Sequence, residues 1–306
     1  MSAGMLHLLC LRAAGRIPDD ELAELRVMVA DGDEVTCAAR LLGAFPQAAE
    51  EITALAGLLP PGTPLPAPAA DDELDAAVAT PFIPFPPADL PYYAVSAPTV
   101  VDETTGGVVD DLDHALLDVL DLRRTTGVWR CWRITVGPGD EASAVRVYLV
   151  ETMESVEELP AVAVRGQRAL AAAGHAALVE VFQPGLPLPS YQWAARSRAA
   201  LIWAPWPAGE VRLAADGPAS VPVDDDDILP LVTYLRSAPA VVPGLHTDGE
   251  WVWPASAADR VLDEAALTDP DLLSHLRSRL REPHDPADAV AVHRALASLI
   301  RAGVVT

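Results

Sequence analysis

The run Val128-Trp129-Arg130-Cys131-Trp132-Arg133-Ile134-Thr135-Val136 decides the fold, together with Ala144-Val145-Arg146-Val147-Tyr148-Leu149-Val150. Both runs are dense in β-branched and aromatic residues, which suit a pleated, half-buried surface. Gly137-Pro138-Gly139-Asp140 between them reads as a hairpin-like link. Working outward, 159–173 has helical spacing and stops at Gly174, a residue that tolerates the left-handed cap. Residues 178–182 read as a strand, 189–198 as a short helix with proline in its first turn, and 199–203 as a second buried strand. The order β-β-α-β-α-β predicts an α+β or α/β protein with a mixed central β-sheet and flanking helices.

Upstream, residues 1–59 read as a small N-terminal helical unit. Pro18-Asp19-Asp20-Glu21 starts a helix, because proline presets φ and acids favour the positive end of the helix dipole. Leu22, Leu25 and Val29 then give one apolar face, and Asp31-Gly32-Asp33 ends it. Helices over about 34–44 and 46–58 follow. Residues 60–109 form a Pro-rich acidic linker or arm, since prolines at 60, 61, 64, 66, 68, 81, 84, 86, 87, 91 and 98 forbid continuous helix. Phe82, Ile83, Phe85, Tyr92 and Tyr93 favour an arm laid on a surface over a free linker. Region 110–215 opens with a helix striped by Leu112, Leu116, Val119 and Leu120 and then carries the sheet. Region 216–306 mixes a helix after Asp224, strands at 240–242 and 250–253 that flank Thr247-Asp248-Gly249 and read as another hairpin, and helices from about Pro254, Pro270 and Pro286.

Composition excludes whole classes of chemistry. Neither lysine nor asparagine occurs in the 306 residues, and all 21 basic side chains are arginine. Codon bias in a GC-rich source accounts for both gaps. A lysine Schiff base, a phosphate-cradling P-loop, a kinase strand lysine and an acylating S-x-x-K cannot be built, nor can an N-glycosylation acceptor. With 51% hydrophobic but only 5% aromatic residues, the core is expected to be mostly Ala, Val and Leu. Cys10, Cys37 and Cys131 are odd in number and far apart, which suits buried thiols in a reducing cytoplasm. No run of residues approaches the length of a membrane span.

The formal charge of −23 argues against nucleic acid as a partner. It is unevenly spread: 128–215 balances at 8 acids and 8 arginines, while 66–127 carries 12 against 2 and 216–306 carries 15 against 7. Solubility is the ordinary reason for such an excess. The sharper expectation is an acidic flank that steers a basic partner.

Motifs for catalysis, metals and cofactors are thin. Asp224-Asp225-Asp226-Asp227 lacks the spaced oxygens of a calcium loop and reads as an acidic helix start. His246 and Asp248 are the candidate general-base pair, with Ser143 or Ser190 as nucleophile, although no G-x-S-x-G surrounds either serine. An Asp248-Gly249 turn explains the same residues without chemistry. His275, His284 and His293 recur every nine residues, which is not a metal-ligand spacing, so no metal is expected. No G-x-G-x-x-G follows a strand, so no cofactor is expected either. The D-x-D within Asp110-Asp111-Leu112-Asp113 sits where a helix starts and carries little weight.

Aromatic residues are the candidate binding elements. Trp251 and Trp253 share one face of a strand, whereas Trp129 and Trp132 take opposite faces, with Arg130 and Arg133 beside them for cation–π contact. Core packing competes for at least one member of each pair. Exposed members, with Tyr92 and Tyr93, would anchor an interface, because tryptophan and arginine dominate binding energy where they occur.

The segment Gly244-Leu245-His246-Thr247-Asp248-Gly249-Glu250-Trp251-Val252-Trp253-Pro254 resembles one that recurs in actinobacterial proteins of no assigned activity. So does Pro187-Leu188-Pro189-Ser190-Tyr191-Gln192 with Ala200-Leu201-Ile202-Trp203 downstream. The resemblance implies a GC-rich source and transfers no functional residue.

These readings lead to a cytoplasmic, non-catalytic protein-binding protein, an acidic neutraliser of a basic partner such as an immunity protein against a toxin domain. The alternatives are a metal-independent enzyme near His246 and Asp248, and a scaffold subunit whose arm crosses a neighbouring chain in a homo-oligomer.

Overall fold

Apolar side chains alternate with Arg130, Arg133 and Arg146 along the two long strands, and the sheet uses both of its faces. In the computed structural model, which describes residues 2–74, 80–93, 97–136, 142–176, 178–215, 217, 220–282 and 285–305, the chain divides at Pro205/Trp206 into two units. The 137–140 link and His284 lie outside the described residues.

The first unit runs α1 (Ala3–Ala13), α2 (Asp19–Ala30), α3 (Glu34–Leu41), α4 (Ala49–Ala56), α5 (Asp71–Leu74), β1 (Phe82–Ile83), a 3-10 turn (Pro87–Tyr92), β2 (Val101–Asp102) and α6 (Asp111–Leu117). It continues with β3 (Thr125–Val136), β4 (Ala142–Thr152), α7 (Leu159–Ala172), β5 (Val179–Phe182), α8 (Ser190–Arg196) and β6 (Ala200–Trp203). The sheet order is β2-β6-β3-β4-β5. β3 is antiparallel to β4, β6 and β1, while β4–β5 and β6–β2 are parallel pairs. α7 makes the crossover that a parallel β4–β5 pair requires. This is the expected mixed sheet with flanking helices, and the protein is α+β.

Residue parity sorts the two faces. Val128, Tyr148, Val150, Val179 and Val181 point toward α6 and α7, where Leu112, Leu116, Leu159, Val162 and Leu170 complete a buried cluster. A Cβ on Gly166 of α7 would lie 2.9 Å from Leu116 and 3.2 Å from Val179, so the bare backbone sets how closely that helix approaches. The opposite face carries Trp129, Cys131, Leu149 and Glu180, with α8 packed against β3 and β4. Glu180 receives the wholly buried Arg26 of α2 at 2.6 Å and Gln192 of α8 at 2.7 Å. A pair so deep contributes little net stability while intact, yet losing either partner costs about 3–5 kcal/mol because a bare charge remains. α1 and α2 pack on α7, α1 also meets α8, and α3 packs on α1 and α2, all within the same unit as the sheet.

Within the 60–109 arm, Phe82 and Phe85 are buried and β1 pairs with β3 at Phe82↔Arg133 and Ile83↔Trp132. Phe82 meets Tyr191 edge-on at 5.2 Å. That part of the arm lies on its own chain. The helix expected at 110–122 is shorter, with Asp110 capping it by accepting from the Leu112 and Asp113 amides.

The second unit runs β7 (Arg212–Leu213), β8 (Val221–Pro222), α9 (Asp225–Ser237), β9 (Ala240–Val242), β10 (Leu245–Thr247), β11 (Trp251–Pro254), α10 (Ser256–Glu264), β12 (Ala266–Leu267), α11 (Pro270–Arg281) and α12 (Ala289–Arg301). A four-stranded sheet has the order β7-β11-β10-β9. The two strands read at 240–242 and 250–253 are not direct partners, because β10 lies between them and pairs with both. Trp251 and Trp253 face the cluster of α9, α10 and α11, and Val252 faces Ala295 and Leu299 of α12. The last helix starts after Asp288, which accepts from the Ala291 amide, and not at Pro286. No helix among the described residues is long and apolar enough to cross a membrane.

Candidate functional site

Asp248 follows β10 in a turn whose next residue, Gly249, has φ +95°. One carboxylate oxygen accepts from the backbone N–H groups of Glu250 (3.0 Å) and Trp251 (2.9 Å). The other accepts from the Tyr234 hydroxyl of α9 (2.9 Å) and from His275 Nε2 of α11 (2.6 Å). Burial alone would raise this carboxyl, but the His275 and backbone bonds prevail and hold it near 2, below the usual carboxylate range. Burial and the Asp248 charge push the Tyr234 phenol up. Asp248 is thus a fixed anion tying a turn to two helices.

His275 donates to Asp248 through Nε2, so Nδ1 carries the basic lone pair. Glu250 Oε2 lies 3.8 Å from Nδ1, and Glu250 itself is bound by Arg279. The ring sits beside Trp251 and opens on a cleft of about 670 Å³ lined also by Arg212, Asp271, Ser274 and Ser278. The arrangement sets the His275 ring between the Asp248 and Glu250 carboxylates at the edge of the cleft.

The structure gives Asp248 a different imidazole from the one expected. His246 Nδ1 donates to the Ala238 carbonyl at 2.8 Å and ties β10 to the end of α9. Ser143 bonds Thr135 across the β3–β4 hairpin at 2.6 Å. Nothing in the local pattern could have named His275, which is 27 residues from its partner.

Of the candidate binding residues, Trp129, Arg130, Trp132, Trp251 and Trp253 are all buried. The guanidinium groups of Arg130 and Arg146 lie 5.0 and 4.9 Å from the Trp132 ring. Arg130 also pairs with the fully buried Asp113 and with Glu103, so the D-x-D aspartate is a core partner. These five side chains serve packing, because anchors must be reachable. Tyr92 is 84% exposed, while Tyr93 stacks on Phe85 at 4.3 Å. Trp206 (74%) and Trp193 (62%) are exposed tryptophans outside the two candidate pairs; Trp206 belongs with Trp203 to a third tryptophan cluster visible in the sequence, and Trp193 does not.

Compared with known proteins, the chain matches no family model, no curated protein and no solved structure.

Proposed function

We propose that the protein is a non-catalytic binding protein for a basic protein partner, in the manner of an immunity protein that neutralises a toxin domain. The observation that carries this is where the cations go. Among the described residues at least eleven of the 21 arginines, from Arg12 with Glu51 to Arg279 with Glu250, meet a carboxylate of the same chain. Several of these pairs are buried, so arginine is spent on holding the fold while the net −23 is left to surface carboxylates. Such a field accelerates encounter with a cationic surface. The three cysteines are buried free thiols, which suits action in the cytoplasm. Affinity for a candidate basic toxin domain should fall steeply as salt rises. Binding that ignores salt would defeat the electrostatic part.

The Asp248–His275 pair favours a second reading, a metal-independent acid–base enzyme using the His275 cleft. Any turnover found in a substrate screen should vanish in His275→Ala; its survival there would end that reading.

A further inference from the structure

With the expected tryptophan anchors inside the fold, an apolar contact surface has to be found elsewhere, and the second unit offers one. α9 buries Leu231, Val232 and Leu235. Its solvent side carries Asp225, Asp226, Leu229, Thr233 and Ser237, spaced by three or four residues. Leu229 is 71% exposed, and Leu280 of α11 is 38% exposed. One exposed leucine is ordinary, but these two open onto the same groove with Pro230 and Tyr234, a space of about 490 Å³. Past Tyr234 and Ser237 it leads to a recess of about 250 Å³ walled by Pro239 and Pro286.

The rim is negative. Asp225, Asp226, Asp285 and Asp288 are exposed around it. Arg236, Arg277 and Arg279 are held by Asp259, by Asp224 with Asp227, and by Glu250, and Arg281 is an exposed positive charge next to Leu280 in the chain. The geometry points to this α9–α11 groove as the docking site for a cationic amphipathic helix of the partner. Its leucine-like anchors enter between Leu229 and Leu280, and its Lys or Arg residues face the aspartates. The assignment rests on the binding reading above and gives it a surface and a ligand chemistry.

The probe is a synthetic helix with Leu on one face and Lys on the other, titrated into the full chain at low salt by calorimetry and amide NMR. A second peptide has every Leu replaced by Ser. The expected result is amide shifts confined to α9, α11 and the recess, with affinity at least about tenfold weaker for the Ser peptide and for the Leu229→Arg/Leu280→Arg protein. Both substituted positions are surface-exposed, and circular dichroism confirms that the variant is folded. Equal affinity in that variant, or shifts elsewhere, overturns the groove and leaves charge-driven binding standing. No binding of either cationic peptide at low salt overturns the groove and the charge-driven reading together.

Discussion

Ala265 ends α10 with φ +49°, a left-handed conformation that a Cβ disfavours. Glycine removes that strain at the cost of a looser unfolded chain, so Ala265→Gly is expected to stabilise the second unit by about 0.5–1 kcal/mol in denaturant titration. A fall in stability would show that the Ala265 methyl makes contacts worth more than the strain. His7 offers a test with a pH axis. Its Nε2–H donates to the Val181 carbonyl at 2.8 Å inside the first unit. Burial, aided by the nearby Arg26 charge and opposed by the Val181 bond, lowers its pKa from 6.5 to about 4. The unfolded chain binds the proton more readily, so stability is whole above pH 6.5 and drains away as pH falls toward 4. The loss by pH 5 is about 2 kcal/mol. His7→Gln keeps a donor without the titration and should flatten the wild-type slope between pH 7 and 5; an unchanged slope would place the acid sensitivity elsewhere. Single-residue roles were the least legible from sequence. Asp248 was visible as a turn former, but its partners Tyr234 and His275 arrive through tertiary packing that no local spacing encodes.

At the scale of elements, legibility followed the strength of local pattern. The β3–β4 hairpin, α7, β5, α8 and β6 were readable because β-branched runs, a glycine stop and first-turn proline all agree on them. The helix α1 gives little periodic signal in the sequence, since most of its sides are buried and amphipathic contrast disappears. β10 was missed because three residues flanked by Gly244 and Asp248 give too little periodicity. The close seat of α7 on β5 and α6 depends on Gly166, and Gly166→Val should cost about 2 kcal/mol or more through overpacking. Thermal melting checks this, and an undiminished midpoint would mean that Leu116 swings aside at no cost.

On the scale of the whole molecule, charge is the feature that sequence and structure carry together. An excess of 23 negative charges repels itself, so added salt should raise the denaturation midpoint even as it weakens association with a basic partner. Those opposite responses separate screening of the fold from screening of an interface. The fold class was accessible from the sequence because patterning decides it. The roles of the tryptophans were not, because which of them are buried is settled only when the sheet meets its helices. The direct test of the central claim is affinity capture of the tagged full chain from its source cells at low and at high salt, with identification of what is retained. The account predicts a basic protein held at low salt and released at high salt. A chain that emerges alone at low salt, or a partner indifferent to salt, would contradict it.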